Sequence, residues 1–454
     1  MSESRSTWRF PAPFWIANTI ELFERAAYYG TFIALAVFLT QVVGYTDVEA
    51  GFIGAGFSGG IYLLPFVLGA VADRIGFRPA LILSFTLLTI GYTMIGLFPT
   101  KGLVLVALAV IATGGAFVKP IIGGTVSRYS DEKNRARAFS LFYMVVNIGS
   151  FSGKSIAAPV RRALGIGTVP LYSAGAAFIA LLIVVLLYRP KPSDAAPRSV
   201  KESLHGLATV FRNLRFLSLV LITAGFWAIQ GQLYASMPKY VLRMVGEGAS
   251  PEWYANINPL VVVLLVVPIT QLVRKLRPIT SIGIALALIP FSALLMSFSS
   301  LLGREVTLLG STLPSITVTM VLGIALQGLS ECFLSPRYLE YASKQAPAGQ
   351  EGLYLGYAHL NTFFAWLFGF ILSGFLLEAY CPDPKVLSAA EQAQRLAALA
   401  GNAEMPAAYA HAHYIWYAFA GVGFAGFLAL LVFQLVTRAI DKRASAEATP
   451  APGV

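Results

Sequence analysis

Long apolar runs separated by short polar stretches follow one another along most of the chain. A helix needs about 20 apolar residues to cross the hydrocarbon core of a bilayer. Runs of about that length or longer lie at residues 13–43, 49–72, 79–98, 102–126, 138–160, 168–188, 215–242, 253–273, 279–299, 312–336, 351–378 and 412–437. This pattern predicts an all-α membrane protein with about twelve transmembrane helices.

One polar and basic stretch that contains prolines, residues 189–214, divides the apolar runs into six and six. We interpret this stretch as a cytoplasmic linker between an N-terminal six-helix bundle, residues 1–188, and a C-terminal six-helix bundle, residues 215–454. The longest later polar segment, residues 379–411, contains an alanine- and glutamine-rich run at 388–400 that is compatible with a short surface helix. The sequence assigns no role to that segment.

The composition excludes a large soluble domain. Of the 454 residues, 57% are hydrophobic and 12% are charged, whereas about 25% are charged in soluble domains. The net charge is +11, and most of the 33 lysines and arginines fall in segments on the same side as the N-terminus, which the positive-inside rule assigns to the cytoplasm. We therefore expect a multi-pass protein of the cell membrane with both termini cytoplasmic, no cleavable signal peptide, and no nucleic-acid partner.

Six charged side chains are placed within the membrane, away from the ends of the predicted spans. They are Glu21, Glu24, Arg25, Lys119, Lys154 and Glu331. A charge at mid-bilayer costs about 2.5–3.5 kcal/mol, so such residues usually pair with one another or line an aqueous path. Glu21, Glu24 and Arg25 share one helix face with Tyr28, because residues three and four apart are neighbours on a helix. This polar face in an apolar helix indicates transport.

A charged motif lies between the second and third predicted spans. Its residues are Gly69, Asp73, Arg74, Gly76 and Arg78. Gly69 permits a close helix approach, Asp73 can cap or pair with a neighbouring helix end, and the two arginines favour the cytoplasmic face. The spacing resembles the loop motif of the major facilitator superfamily, and a simple tight turn with positive-inside charges is the alternative. The resemblance implies two pseudo-symmetric bundles that rock about a site at the membrane midplane.

Four further motifs occur in spans of both halves. They are Glu21-x-x-Glu24-Arg25 followed by Tyr28-Tyr29-Gly30, the segment from Gly114 to Pro120 around Lys119, Tyr143 with Asn147 to Ser150, and the segment from Ser330 to Pro336 around Glu331. Together they resemble the proton-dependent oligopeptide transporter family. The resemblance implies a symporter that imports small peptides or peptide-like zwitterions with protons, by alternating access and without a cofactor.

The same resemblance implies roles for individual residues. Glu21, Glu24, Arg25 and Lys119 would couple protons, with Lys119 alternating between a glutamate and the substrate carboxylate. Glu331 would receive the substrate amino group. The cavity lining that the resemblance implies is Tyr28, Tyr62, Asn147 and Ser335, and Lys154 is a further substrate-binding candidate that the family pattern does not supply. Electrostatics agrees with this scheme, because withdrawing Lys119 from the glutamates raises their affinity for a proton and so couples the two binding events reciprocally.

Two departures from the family pattern leave the substrate open. Phe32 stands where the family usually has an arginine, and the seventh span has amides beside Gly231 where the family usually has an acid. Lys154 is an additional charge that either supplies the missing positive charge or reaches towards the outer surface. A non-peptide organic anion or zwitterion is therefore an alternative substrate, and a non-transporting receptor or scaffold is a more remote alternative. No pattern typical of an enzyme or a metal site occurs in the sequence.

The buried polar residues also have purely structural interpretations. The cluster at Glu21 could be a static ion-pair network, and Lys119 could extend its amine towards a membrane interface. Glu331 could be a packing carboxylate hydrogen-bonded to Ser335. His359, the histidine placed within a span, is either a hydrogen-bonded packing residue or a proton carrier, and the first is favoured. A disulfide between Cys332 and Cys381 is not expected.

Overall fold

The computed structural model describes residues 9–131, 134–191, 199–308, 310–346 and 351–447. The helices of the first half are α1 (Ala12–Gln41), α2 (Asp47–Ile75), α3 (Phe77–Leu97), α4 (Lys101–Arg128), α5 (Arg135–Leu164) and α6 (Val169–Leu186). The remaining helices are α7 (Val200–Arg212), α8 (Leu214–Gln230), α9 (Met237–Met244), α10 (Pro251–Leu272), α11 (Pro278–Ser297), α12 (Ser315–Lys344), α13 (Glu351–Ala358), α14 (Leu360–Tyr380), α15 (Ala389–Leu399) and α16 (Tyr414–Glu447). A short antiparallel hairpin joins β1 (Glu305–Leu308) to β2 (Ser311–Pro314).

Each of the twelve predicted spans contains helix, so the predicted all-α membrane class is confirmed. Within the described residues, eleven helical segments are long and apolar enough to cross a membrane. The helix that fails this criterion is α5, because it carries polar side chains such as Asn147, Lys154 and Arg161. A helix of this kind can still span a membrane where its polar face lines a cavity or a partner helix.

The seventh and eleventh predicted spans are broken helices, which the apolar pattern did not predict. The helix α8 ends at Gln230, a 3₁₀ turn covers Gly231–Leu233, and α9 begins at Met237. A Cβ atom at Gly231 would lie 3.2 Å from the ring of Trp366, so glycine lets the broken segment pack closely against α14. Pro238 then lies in the first turn of α9, where a missing N–H costs nothing. Irregular backbone at membrane depth is tolerated where it lines a cavity.

Two helices lie outside the spans. The helix α7 occupies the second half of the predicted linker and begins with a capping box of Ser199 and Glu202, whereas residues 192–198 lie outside the described residues. The helix α15 coincides with the apolar-rich run at 388–400. Arg395 fixes it to the rest of the protein, because its guanidinium donates to the carbonyls of Leu242 and Arg243 at 3.0 and 2.9 Å.

The charged motif between α2 and α3 differs in part from expectation. Gly76 has a φ of +90°, so it supplies the left-handed conformation that separates the two helices. Asp73 is exposed and forms no hydrogen bond or ion pair with a described residue, so the predicted capping or pairing role is wrong for this structure. The exposed position explains this, since water already solvates the carboxylate.

The basic and small residues of the motif also have defined places. Arg78 donates to the carbonyl of Val185 at 2.8 Å and so satisfies one of the free carbonyls at the end of α6. Arg74 is exposed in the last turn of α2. A Cβ atom at Gly69 would meet Pro120 at an ordinary distance of 3.5 Å, so the helices do not make at Gly69 the close approach that glycine would permit.

The helices form two bundles. In the first, α1 packs against α5 and α6, and α3 packs against α4 and α6. In the second, α11 packs against α12 and α16, and α8 packs against α14 and α16. Across the two bundles, α2 contacts α14 and α5 contacts α10. These two contacts define where a cavity between the bundles can form.

Ion pairs hold the two bundles together at one end of the molecule, which we call the closed end. Asp47 at the start of α2 accepts from Lys239 and Arg243 of α9, with each N–O distance 2.8 Å. Arg161 of α5 pairs with Glu252 of α10, with 2.5 Å between Nε and Oε1. All five side chains are buried. Buried pairs of this kind are costly to break, since loss of one partner leaves an uncompensated charge.

The contact between α1 and α5 depends on a glycine. A Cβ atom at Gly153 would overlap the backbone of Ala26, so we predict that Gly153→Ala separates the two helices. Overpacking of this kind costs about 1–3 kcal/mol, and we expect a Tm several degrees lower for the purified protein in detergent. Gly175→Ala on α6 is the control, because nothing lies within 4 Å of its Cβ position. Equal Tm values for the two variants would contradict this account of the packing.

Candidate functional site

A cavity of about 310 Å³ lies between the two bundles. Of the seven predicted substrate-binding residues, those that line it are Lys119, Glu331, Tyr62, Asn147, Ser335 and Lys154. Tyr28 does not line it, and that prediction is wrong. Its ring is buried, stacks on Phe32 with 5.0 Å between ring centroids, and lines a small crevice that Lys119 also lines.

A larger hollow of about 510 Å³ lies near the closed end, among α9, the β-hairpin and α15. Its acidic and basic lining residues Arg304, Glu305 and Glu404 are all exposed. The smaller cavity is the candidate site, because it lies between the bundles and is lined by buried ionisable groups. Among the described residues, no group of three or more His, Cys, Asp or Glu could hold a metal ion.

Three charges of α1 form one buried cluster beside the cavity. Arg25 contacts both acids, with 3.3 Å from its Nε to Oε1 of Glu21 and close contacts from Nε and Nη2 to Oε2 of Glu24. The arrangement follows from helix geometry, since Glu21 and Arg25 are one turn apart. The second carboxylate oxygen of Glu21 is buried without a hydrogen-bond partner. A buried oxygen of this kind is an open position for a proton or a cation.

Lys119 lies between this cluster and the cavity. A crevice of about 10 Å³, the size of roughly one water molecule, is lined by Glu24, Arg25 and Lys119. The side chain of Lys119 is exposed to the cavity, and its Nζ lies 5.2 Å from the ring centroid of Tyr62. It forms no ion pair with a described carboxylate. The structure therefore brings three of the four predicted proton-coupling residues into contact and leaves the lysine facing the cavity.

Glu331 of α12 is the acid on the opposite wall. Its Oε2 accepts from the amides of Gln230 at 2.6 Å and Asn258 at 3.4 Å, and the side chain is buried. The hydroxyl of Ser335 has no hydrogen-bond partner, so the interpretation of Glu331 as a carboxylate bonded to Ser335 is wrong. No described lysine or arginine pairs with Glu331. Neither amide is among the site residues predicted from the sequence, although an isolated amide within an apolar span indicates a buried polar contact.

Lys154 points into the protein. Its side chain is 1% exposed, and its Nζ donates to the carbonyl of Ala255 on α10 at 3.3 Å. The same Nζ lies 5.7 and 6.0 Å from the ring centroids of Tyr29 and Tyr234. The alternative in which Lys154 reaches the outer surface is therefore wrong.

Aromatic rings occupy the position where the resemblance predicts an arginine. Phe32 stacks on Trp366 with 5.2 Å between centroids, and Tyr234 lies 4.8 Å away. Trp366 continues into the cavity wall, where Tyr62 packs against it edge-on at 5.5 Å. The cavity thus has an apolar wall between its charged groups.

His359 lies at the break between α13 and α14 and lines the cavity. Its side chain is exposed and has no hydrogen bond to a described residue, so the favoured interpretation as a hydrogen-bonded packing residue is wrong. The break explains this, because it turns the residue away from the helix contacts that a packed histidine would need. Asn147 is held to its own helix, donating to the carbonyl of Tyr143 at 2.8 Å.

Sequence comparison finds relatives for part of the chain. The dipeptide and tripeptide permease B of Salmonella typhimurium is 30% identical over 242 residues, covering 52% of this chain and 48% of the permease. The permease B of Aeromonas hydrophila is 34% identical over 151 residues, covering 32% of this chain and 30% of the permease. The chain thus spans about half or less of the length of these curated relatives.

Structural comparison covers nearly the whole chain. The crystal structure of the POT family transporter PepTSo has a TM-score of 0.71 and 18% identity, covering 96% of this chain and 99% of that one. A peptide transporter POT in complex with sulfate has a TM-score of 0.70 and 18% identity, covering 96% of each chain. This likeness confirms the predicted fold. The profile of the Major Facilitator Superfamily matches residues 18–309, which is more than half of the sequence. The chain therefore belongs to the Major Facilitator Superfamily, whose members are membrane transporters and not enzymes.

Proposed function

We propose that this protein is a symporter that imports small peptides or peptide-like zwitterions with protons by alternating access. The observation that carries the proposal is a single cavity with Lys119 on one bundle and Glu331 on the other. Neither side chain pairs with an opposite charge among the described residues. The carboxylate of a peptide would bind Lys119 and its ammonium would bind Glu331. The similarity to di- and tripeptide permeases supports the same substrate class.

Alternating access would follow from the placement of these two groups. A zwitterion that contacts Lys119 and Glu331 together is attracted to both bundles, so its binding favours the state in which the bundles approach each other around it. At the closed end, the two bundles already lie close to each other. In the proposed cycle, the ion pairs at Asp47 and Arg161 must break when that end opens.

Proton coupling would use the cluster on α1. When Lys119 binds the substrate carboxylate, Arg25 alone compensates Glu21 and Glu24, and a proton bound at the unpartnered oxygen of Glu21 removes the excess negative charge. When the substrate leaves, Lys119 can approach the glutamates through the small crevice and displace the proton. Substrate and proton then favour each other's binding to the same extent, as linkage requires.

The positive-inside rule supports the orientation. We propose cytoplasmic termini, a cytoplasmic α7 between the two bundles, and a closed end that faces outwards in the cell membrane. The motif of Asp73, Arg74 and Arg78 then lies at the cytoplasmic surface, where Arg78 ties α3 to the end of α6. The cavity would therefore exchange substrate with the cytoplasm in the state described here.

A second candidate function retains the proton coupling and the alternating access but has a different substrate. Phe32 and Gly231 stand where the resemblance predicts opposite charges, so one carboxylate-binding group of that pattern is absent. A non-peptide zwitterion or organic anion is therefore the alternative. Proteoliposome uptake under an inward proton gradient separates the two. Accumulation of labelled di-alanine supports the peptide proposal, gradient-driven uptake of another compound supports the alternative, and no flux with any compound contradicts both.

We predict that Glu24→Gln abolishes accumulation driven by the proton gradient and leaves counterflow exchange. The amide removes one of the two negative charges of the cluster, so Arg25 alone compensates Glu21 and no proton is needed during substrate binding. The substrate groups Lys119 and Glu331 are untouched. Glu49→Gln is the matched control, because Glu49 lies exposed at the start of α2 and pairs with Lys101. The measurement compares concentrative uptake with counterflow in the same liposomes. Wild-type accumulation by Glu24→Gln would refute its role in coupling.

We also predict that Lys119→Ala greatly weakens substrate binding. A charge-assisted hydrogen bond contributes about 1.5–3 kcal/mol, so the affinity for a dipeptide should fall by roughly 10- to 100-fold. Lys101→Ala, at the exposed start of the same helix, should bind as the wild type does. Ligand-dependent thermal shifts of purified protein report the two affinities. An unchanged affinity in Lys119→Ala would remove this residue from the site.

The closed end provides a third prediction. Asp47→Asn leaves Lys239 without a carboxylate partner among the described residues and Arg243 with Asp383 alone. Loss of a buried partner costs about 3–5 kcal/mol and should favour opening of that end. Cys381 is buried there and its carbonyl accepts from Arg243, so opening should increase the rate at which its thiol reacts with a soluble maleimide. A Cys332→Ser background leaves one reporter thiol.

Asp441→Asn is the control for this labelling, because Asp441 pairs with Arg215 in an exposed contact that involves neither the cavity nor the closed end. We expect its labelling rate to match that of the background protein. Equal rates for Asp47→Asn and the background, in protein that remains folded, would show that the Asp47 ion pairs do not hold this end closed.

A further inference from the structure

Lys154 is a buried cation whose charge has no counter-charge in the described part of the protein. It lines the cavity, is 1% exposed, and forms no ion pair with a described carboxylate. Its hydrogen-bond acceptor is the neutral carbonyl of Ala255, at 3.3 Å. An ammonium carries three donors, and burial of one against a single carbonyl and tyrosine rings leaves donors unused. A lysine in this setting needs an anion.

The sequence of α10 explains why the carbonyl of Ala255 is available. Pro259 lies four residues later inside the same helix and has no N–H to donate back to Ala255. Lys154 supplies the missing hydrogen bond from the other bundle. This contact satisfies the carbonyl without neutralising the ammonium, so the positive charge of Lys154 remains available to a ligand.

The charges of the cavity wall indicate what kind of ligand fits. Lys119 and Lys154 are the cations among the described lining residues, and Glu331 is the acid. A simple zwitterion neutralises Lys119 and Glu331 and leaves Lys154 unpaired. Lys119 lies against Tyr62, whereas Lys154 lies beside Tyr29, so the two ammonium groups occupy different parts of the wall. We therefore do not expect a single carboxylate to pair with both ammonium groups.

We propose that Lys154 determines specificity by binding a second anionic group of the substrate. The preferred cargo then has two anionic groups and one ammonium, as in a dipeptide with an acidic side chain. This inference rests on the proposed function and narrows its substrate class. The tyrosine rings beside Lys154 pack against the aliphatic part of such a side chain and exclude water from the ion pair, which strengthens it.

A purely structural role for Lys154 makes a different prediction. If the lysine served only to satisfy the carbonyl of Ala255, then Pro259→Ala would replace it, because alanine restores the N–H within α10. The double variant Lys154→Met, Pro259→Ala would then bind all peptides as the wild type does. If Lys154 binds an anion, the double variant keeps its fold and still loses its preference for acidic peptides.

The experiment uses Ala-Glu and Ala-Gln, which have nearly the same shape and differ by one negative charge. Each competes with labelled di-alanine for uptake by the full-length protein in proteoliposomes. We expect the wild type to bind Ala-Glu more tightly. The ratio of the two inhibition constants should fall by about 10-fold in Lys154→Met, with or without Pro259→Ala, since a charge-assisted hydrogen bond is lost. Lys101→Met should retain the wild-type ratio.

An unchanged ratio in Lys154→Met would overturn the proposal, and so would a double variant that regains the wild-type ratio. If the wild type takes up neither di-alanine nor the two competitors, the proposed function fails and a second measurement decides about Lys154. Glutarate should then raise the Tm of the purified wild type and have a smaller effect on Lys154→Met. Equal effects, or no effect on either protein, would overturn the anion site independently of peptide transport.

Discussion

The structure depends on the cost of an uncompensated charge in a medium of low dielectric constant. At the closed end the chain meets this cost with close ion pairs, as between Asp47 and the two cations of α9. On α1 it does so with Arg25 between two glutamates. In the cavity, by contrast, Lys119, Lys154 and Glu331 lack an opposite charge among the described residues. The buried ion pairs thus hold the bundles together, and the unpaired charges of the cavity lie where we propose that the substrate binds.

Much of the fold could be predicted, because helices in a bilayer must satisfy their own backbone and so require long apolar runs. The twelve predicted spans follow from that rule, whereas the short helix α15 is expected from its alanine- and glutamine-rich run. The break near Gly231 could not be predicted, because the apolar pattern continues across it and the contact of Gly231 with Trp366 joins residues far apart in sequence. The places of Gly69 and Asp73 also differ from expectation, because a loop motif does not specify which surface a short turn presents to water.

The candidate site, like the fold, could be predicted only in part. The cluster of Glu21 and Arg25 is local to one helix turn, so its spacing sufficed to predict the contact. The amides that hold Glu331 come from two other helices, and the carbonyl that holds Lys154 is free only because of a proline on a neighbouring helix. Contacts of this kind depend on how the helices cross, and the crossing of helices cannot be predicted from a single sequence.

The ring stack around Phe32 has a mechanical consequence. Phe32 belongs to the first bundle, whereas Trp366 and Tyr234 belong to the second, so the rings meet where the halves adjoin. Flat apolar faces can slide over one another with little change in contact area, unlike hydrogen bonds, which fail when their angle changes. An arginine at this position would form hydrogen bonds across the two bundles, and their angular dependence would restrict the movement. In the proposed cycle, the phenylalanine instead lets the two bundles tilt relative to each other while the rings stay in contact.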